Sequence, residues 1–307
     1  MTVTNLKVFL ENSPEWTQTR VSGAIGVSVS ALNAWMQGSY KGDNGKIERA
    51  IARFLETQKE AGSETTRFKK DFDFVETSVY ADVLRSVNLA AFRGEIRVIT
   101  GISGVGKSRS LDSIKGEREA SMILVKVYAG MRKNRFLKKL CEAAGFSGHG
   151  TYDDMFDELT NRLEGSGRLI AIDEAEHLSI ESIDIARRIN DFTGCGVVFV
   201  GLPVFYETLK NRQRDYAYVY NRIAMPMRLN KCKASDLGAM ARTLLGETEI
   251  PDKFLLTVSG GVGRDLKFIL LESLRVAEVN KIQPTDTQAF CAVMEEVRKS
   301  LGRKIAS

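Results

Sequence analysis

One short run, residues 101–108, constrains this chain more than any other stretch. It reads Gly-Ile-Ser-Gly-Val-Gly-Lys-Ser and fits the phosphate-binding pattern G-x-x-x-x-G-K-S/T without a mismatch. The apolar residues Ile96, Val98 and Ile99 precede it and predict the buried strand that this motif requires. Glycines let backbone N–H groups turn towards a phosphate, and the following helix directs its positive end at the same anion. The run therefore predicts a nucleotide site.

The residues of this run have distinct expected roles. Lys107 is expected to reach the β- and γ-phosphates of ATP, and the Ser108 hydroxyl is expected to hold Mg²⁺. The complete set of expected nucleotide-binding residues is Gly101, Ser103, Gly104, Val105, Gly106, Lys107, Ser108, Arg109 and Arg264.

A second motif lies about 65 residues later, which leaves room for two strand–helix crossovers. Residues 169–172 are apolar and predict a buried parallel strand, and Asp173 and Glu174 follow at its C-terminal end. Ligands bind at that edge of open α/β sheets. We expect Asp173 to hold the Mg²⁺ shell and Glu174 to polarise the attacking water. Acids also favour a helix N-terminus after a strand, but the pairing with the first motif favours ATP hydrolysis.

The central region alternates predicted strands and helices, which is typical of an α/β protein with a parallel sheet. The predicted strands are residues 95–100, 122–128, 168–173, 196–201 and 223–229. The predicted helices are residues 79–89, 107–115, 132–145, 152–164, 179–192 and 203–211. Residues 234–301 carry only helical patterns, with Pro251 and Pro284 placed where helices would begin.

At 307 residues the chain is long enough for more than one core. The expected domains are a helix-turn-helix DNA-binding domain in 1–60, a polar linker in 61–72, an ATPase core in 73–230 and a helical lid in 231–307. The net charge of +5 is compatible with a nucleic-acid partner. Four well-separated cysteines favour reduced thiols in the cytoplasm, and two histidines argue against a His-based metal centre. No segment resembles a signal peptide or a membrane span.

Residues 17–38 have the spacing of a helix-turn-helix. Gly26 suits the left-handed turn position and Ser28 is a good N-cap, while Ala24 is expected to face the core of the first helix. The second helix would present Ser30 and Asn33 outward as DNA contacts. This face has no arginine or lysine, so strong reading of base sequence is not expected. A helical bundle that binds only protein is the alternative.

Basic residues gather after the second predicted strand, at Arg132, Lys133, Arg135 and Lys139. A loop and helical turn of this charge can grip a phosphodiester backbone, so these residues are candidate DNA contacts. The alternative is an ordinary solvated helix face. A second candidate patch follows the fourth strand, at Lys210, Arg212 and Arg214.

Two further arginines have positions that suit a nucleotide. Arg222 precedes the fifth predicted strand, from which it could reach the γ-phosphate of a neighbouring subunit and stabilise transition-state charge. Arg264 follows a glycine-rich stretch and opens a predicted helix, from which it could contact phosphate. A surface arginine and a salt bridge, respectively, are the alternatives.

Taken with these motifs, the chain resembles the MuB-like AAA+ ATPases of transposition, the family of phage Mu target-selection B proteins. The resemblance covers nearly the whole length, and residues 40–44 and 74–77 are its most family-specific parts. Residues 172–178 and 222–224 also match. The resemblance implies an AAA+ P-loop ATPase fold with a parallel sheet and a C-terminal helical lid, preceded by a small all-α domain.

The resemblance also implies a function. Such proteins bind ATP and Mg²⁺, form helical filaments on double-stranded DNA with little sequence preference, and deliver that DNA to a DDE transposase, which they stimulate. The transposase in turn stimulates hydrolysis and disassembly, which produces target immunity. ATP lies between subunits, so Arg222 would act in trans. The protein would then be nucleoid-associated in the cytoplasm of a bacterial host. A helicase loader or initiator ATPase, and an ATP-gated transcription regulator, are the alternatives.

One position departs from the family pattern. After the fourth strand the family usually carries a polar residue that helps to orient water, and here the residue is Leu202. A leucine side chain cannot form hydrogen bonds. We therefore expect slow intrinsic hydrolysis that DNA and the transposase accelerate.

Overall fold

The computed structural model describes residues 2–13, 16–68, 73–214 and 216–302. The chain divides into two compact units, Met1–Asp71 and Phe72–Ser307. Within the described residues, no helix combines the length and apolar character needed to cross a membrane.

The described part of the first unit is helical. Its helices are α1 (Thr2–Asn12), α2 (Gln18–Ile25), α3 (Val29–Met36) and α4 (Asn44–Phe68). Leu6, Leu32 and Trp35 pack with residues of α4 in its hydrophobic core. The predicted helices and turn within residues 17–38 are confirmed: Gly26 has φ 70° and Ser28 Oγ accepts a hydrogen bond from Ala31 N.

Two details of this unit differ from the sequence-based expectation. Ala24 was expected to face the core, but it is exposed and Ser22 is buried instead. The Ser22 hydroxyl donates to Thr19 O at 2.9 Å, and this bond to the preceding turn allows a polar side chain to be buried. Helix α4 continues to Phe68, so the predicted linker of residues 61–72 is helical over its first part. Its role as a linker stays a prediction.

The second unit contains a five-stranded parallel sheet with strand order β2-β3-β4-β1-β5. Its strands are β1 (Ile96–Thr100), β2 (Met122–Lys126), β3 (Leu169–Asp173), β4 (Val197–Gly201) and β5 (Met227–Arg228). The predicted α/β fold class, a P-loop ATPase with a parallel sheet, is confirmed.

The fifth strand is shorter than the predicted residues 223–229. Only Met227–Arg228 pairs with β1 as a strand, and an isolated bridge joins Ile223 to Ile96. Pro226 lies directly before β5 and has no N–H to donate, so the ladder cannot run unbroken through this stretch.

Helices cover both faces of the sheet. They are α5 (Ser78–Arg93), α6 (Lys107–Glu117), α7 (Lys133–Ala144), α8 (Tyr152–Leu163), α9 (Ile180–Thr193), α10 (Pro203–Asn211) and α11 (Ala217–Tyr220). Along β4, Val198 and Val200 join the core that contains residues of α5 and α6, whereas Val197 and Phe199 join the core built by α7 to α10. Burial on both faces explains why these strands are almost entirely apolar.

Within residues 229–302, four helices follow the sheet and form the predicted helical region. They are α12 (Ala234–Leu245), α13 (Asp252–Ser259), α14 (Gly263–Val279) and α15 (Thr287–Ser300). Their apolar residues belong to the same continuous core as α5 and α6, so this helical lid and the sheet are packed together. Pro251 is the N-cap of α13 as predicted, but α15 begins three residues after Pro284, where Asp286 caps it.

Candidate nucleotide-binding site

The phosphate-binding motif forms the loop between β1 and α6. Gly104 has φ 80° and Gly106 has φ 116°, and both angles lie in the left-handed region that glycine adopts without strain. A Cβ added to Gly104 would lie 2.9 Å from both Arg264 Cβ and Val262 Cγ1. The glycine at position 104 therefore also allows the lid to approach the loop closely.

The sheet brings the two predicted motifs together. Strand β4 lies between β1 and β3, with Gly201 opposite Thr100 and Val200 opposite Asp173. Because the strands are parallel, their carboxyl ends meet at one edge, and a cavity of about 420 Å³ opens there. It is lined by Ser103, Gly104, Val105, Gly106, Lys107, Ser108, Arg109, Asp173, Glu174 and Arg264 among others.

Lys107 is held at the mouth of the loop. Its Nζ donates to Gly101 O at 2.7 Å and to Ile102 O at 2.9 Å. Burial lowers the pKa of Lys107 below its ordinary value, while the negative charges of Glu176 and Asp173 act in the opposite direction. Phosphate oxygens are stronger acceptors for an ammonium than these carbonyls, so the side chain suits a nucleotide phosphate.

Asp173 has the features of a magnesium ligand. Its side chain is 1% exposed, and its Oδ1 accepts from Glu174 N at 2.9 Å. Its Oδ2 is buried and has no hydrogen-bond partner among the described residues. A buried carboxylate oxygen without a partner is costly, and a hydrated cation would satisfy it. Carboxylate and hydroxyl oxygens suit Mg²⁺, so Asp173 and Ser108 fit this ion.

Glu174 lies beside the cavity in an unusual backbone conformation. Its φ of 58° falls in the left-handed region, which residues other than glycine seldom adopt. A short 3₁₀ helix, Ala175–His177, begins directly after it. The Glu174 side chain is 54% exposed, and its Oε2 lies 3.9 Å from His177 Nε2. Backbone strain of this kind is common at functional sites.

The lid contacts the phosphate loop and the first residue of α5. Arg264 N donates to Gly104 O at 3.1 Å. Asp236, on α12, accepts hydrogen bonds from Ser78 N at 2.9 Å and Ser78 Oγ at 2.6 Å. The lid is therefore hydrogen-bonded both to the phosphate loop and to the start of α5.

Several residues that line the cavity received no site role from the sequence. They are Glu176, Gly201, Asp73, Phe74, Val75, Thr77, Ser110, Cys232, Met240, Gly263 and Lys267. In the sequence, only the family resemblance singled out the segment that contains Phe74 and Thr77, and it gave these residues no role at the nucleotide site. The position of this segment at the same cavity as the phosphate loop depends on packing between distant segments, which no local pattern reveals.

Arg222 does not line the cavity of its own chain. It follows α11, its side chain is 59% exposed, and its Nη1 lies 3.5 Å from Asp191 Oδ1 on α9. In the same unit, Arg132, Lys133 and Arg135 are exposed at the start of α7, while Lys139 is half-buried. In the first unit, Ser30 is exposed and Asn33 is half-buried.

The fold and the site define the class as AAA+ P-loop ATPases. Residues 90–209 match the AAA domain family, a match that implies nucleotide binding. Two solved structures of the ORC2 protein of Aeropyrum pernix share the fold. The ADP form has a TM-score of 0.54 at 13% identity and covers 76% of this chain and 72% of its own. The form with ADPNP and ADP has a TM-score of 0.52 at 14% identity and covers 71% of this chain and 66% of its own.

Within this class, the chain is similar in sequence to B proteins of transposition. The chain is 26% identical to the Mu-like prophage FluMu DNA transposition protein B of Haemophilus influenzae, over 81% of this chain and 87% of that protein. It is 27% identical to the ATP-dependent target DNA activator B of Escherichia phage Mu, over 89% of this chain and 86% of that protein. The chain is therefore homologous to these B proteins over most of its length and carries an AAA domain.

Proposed function

We propose that this protein is an ATP-dependent activator of target DNA in transposition, which hydrolyses ATP slowly to control its own binding to DNA. The observation that carries the proposal is the meeting of Lys107, Asp173 and Glu174 at one cavity, in a chain homologous to target DNA activators. The cavity supports the dependence on ATP. The names of the relatives support a role in activating target DNA.

The residues of the cavity divide the hydrolysis reaction among them. The phosphate loop and Lys107 bind the β- and γ-phosphates, and Asp173 and Ser108 hold Mg²⁺, which neutralises phosphate charge. Glu174 polarises the water that attacks the γ-phosphate, and ADP and phosphate leave. Leu202 offers no polar side chain beside this water, which supports slow turnover in the absence of partners.

Arg222 completes the site of a neighbouring subunit. It is exposed and lies outside the cavity of its own chain, and its Nη1 lies 3.5 Å from Asp191 Oδ1. An arginine supplied in trans stabilises the charge that develops on the transferred phosphoryl group. Hydrolysis would then depend on assembly, as expected for a filament on DNA.

The exposed basic residues at the start of α7 are the proposed DNA contacts. Arg132, Lys133 and Arg135 project from one turn, and contacts to phosphate give affinity without sequence preference. Lys139 is half-buried and contributes to the same surface. Ser30 and Asn33 are the proposed contacts of the first unit. The DNA-bound filament would present its target to a DDE transposase and stimulate it.

Electron microscopy of the purified protein with random-sequence duplex DNA tests this proposal, with ATP and Mg²⁺, with ADP, and without nucleotide. ATP-dependent filaments along the duplex are the expected result. Particles confined to one sequence would favour a transcription regulator. An absence of DNA association in every nucleotide state would favour a loader that acts through a protein partner.

A further inference from the structure

A carboxylate outside both nucleotide motifs connects two strand ends at the cavity. Glu176 lies in the 3₁₀ helix after β3, and its Oε2 accepts a hydrogen bond from Leu202 N at 3.0 Å. Leu202 directly follows β4. The bond therefore joins the turn after β3 to the turn after β4, and both residues line the cavity.

The Glu176 carboxylate occupies the space beside Gly201 that a side chain would otherwise fill. A Cβ added to Gly201 would lie 2.4 Å from Glu176 Oε2 and 3.3 Å from Ala175 N. Any side chain at position 201 would displace the carboxylate or the turn that carries it. The φ of Gly201 lies outside the left-handed region, so the backbone conformation does not require glycine here. The Glu176 contact is what requires it.

Glu174 belongs to the same turn as Glu176. Glu174 O accepts from His177 N at 3.0 Å, and Ala175 O accepts from Leu178 N at 3.0 Å, so the turn is a hydrogen-bonded unit. The left-handed conformation of Glu174 costs energy and persists only where surrounding contacts hold it. The bond between Glu176 and Leu202 is a contact of this kind.

This contact also gives position 202 a role that does not need a polar side chain. The backbone N–H of Leu202 makes the bond, and any residue except proline could supply it. The polar group at this corner of the cavity is then the Glu176 carboxylate, which comes from the neighbouring strand end.

We propose that Glu176 is a positioning residue for ATP hydrolysis, which holds the Glu174 turn against the end of β4 and so keeps the Glu174 carboxylate directed at the attacking water. This inference rests on the proposed ATPase function. It requires a hydrogen-bond acceptor at position 176, and it does not require a charge.

Two variants separate the acceptor from the charge. Glu176→Ala removes both, whereas Glu176→Gln keeps an amide oxygen that accepts the same bond. For Glu176→Ala we expect kcat to fall by about tenfold, with the Kd for a fluorescent ATP analogue within about threefold of wild type. Glu176→Gln recovers most of the lost kcat. Glu207→Ala, which removes an exposed glutamate of α10, is the control for charge near this turn.

A third variant removes the donor and keeps a glutamate at position 176, although the proline ring takes the place of the donated hydrogen and displaces the carboxylate. Leu202 has φ −76°, which proline adopts readily, so Leu202→Pro deletes the N–H at little cost to the backbone. We expect the same loss of kcat as in Glu176→Ala. Hydrogen exchange supplies a readout besides activity: the Leu202 amide exchanges slowly in wild type and Glu176→Gln, and rapidly in Glu176→Ala.

Three results would overturn the proposal. The first is a wild-type kcat in Glu176→Ala or Leu202→Pro. The second is a kcat that falls equally in Glu176→Gln and Glu176→Ala. The third is a loss of nucleotide binding in Glu176→Ala. The wild-type rate with DNA is measured first, and an absence of hydrolysis there would reject the proposed function instead.

Discussion

Arg264 Nη1 donates a hydrogen bond to Ser103 Oγ at 3.1 Å, so the lid contacts the phosphate loop directly. The backbone of the same residue bonds Gly104 O, and Gly104 has no Cβ to prevent this approach. A phosphate bound in the loop would meet the Arg264 guanidinium at the start of α14. We therefore propose that the position of the lid responds to the nucleotide state through these two adjacent residues of the loop.

The role of Glu174 is tested by Glu174→Gln. The amide keeps the size of the side chain but cannot accept a proton from water at neutral pH, so we expect hydrolysis to fall by about a hundredfold or more. ATP binding should persist, because Lys107 and the phosphate loop are unchanged. Steady-state phosphate release and equilibrium nucleotide binding measure the two effects. Hydrolysis at the wild-type rate would exclude Glu174 as the residue that polarises water.

The proposed trans action of Arg222 predicts complementation between two inactive variants. Arg222→Ala should bind ATP normally but hydrolyse it about a thousandfold more slowly. Subunits of Glu174→Gln still carry Arg222, and subunits of Arg222→Ala still carry Glu174. Mixed assemblies therefore contain some complete sites, and the ATPase rate of the mixture should exceed that of either variant alone. A mixture no more active than its components would contradict the trans arrangement.

The DNA contacts of α7 are tested by the salt dependence of binding. Arg132→Ala combined with Lys133→Ala should weaken binding equally for all sequences and reduce the slope of log K against log salt by about two. Fluorescence anisotropy with labelled duplexes measures both quantities. Lys253→Ala combined with Lys299→Ala removes the same charge from exposed lid positions and is the matched control. An unchanged slope in the α7 variant would exclude these side chains as phosphate contacts.

A buried thiol predicts a loss of stability in alkali. Burial raises the pKa of Cys141 from 9.0 to about 11, with a smaller contribution from the charge of Glu158. Between these pH values the unfolded thiol ionises and the folded thiol stays protonated, so the unfolded state binds fewer protons and the free energy of unfolding falls as pH rises. The effect is on the order of 2 kcal/mol.

Urea unfolding at pH 8 and pH 10.5 measures this effect, with Cys141→Ala as the comparison. The variant loses packing at both pH values but lacks the ionisable thiol. The difference in unfolding free energy between wild type and variant should therefore narrow at pH 10.5. A difference that stays constant or widens would contradict the protonated state of Cys141.

Most of the fold could be predicted from local sequence. The apolar strands, the glycine turn at Gly26 and the cap Ser28 act over a few residues, and each predicted strand except β5 lies within one or two residues of its expected bounds. The length of β5 was overestimated. Whether Pro226 breaks the strand depends on which backbone groups face β1, and the sequence does not show this.

The site was predicted only in part, for a physical reason. The two nucleotide motifs are continuous in sequence, so Lys107, Asp173 and Glu174 could be recognised. The approach of Phe74 to the cavity and the bond from Leu202 to Glu176 depend on sheet order and on packing between distant segments. Leu202 was understood only through its side chain, whereas its backbone N–H makes the contact.

The central claim is that bound ATP controls association with DNA, and one titration tests it most directly. A labelled random-sequence duplex is titrated with wild type and with Lys107→Ala, in ATP and Mg²⁺, in ADP, and without nucleotide, at fixed salt. We predict that only the wild-type protein with ATP binds tightly, and that random and unrelated sequences bind alike. Equal affinity in all three nucleotide states, or ATP-dependent binding that survives in Lys107→Ala, would contradict the claim.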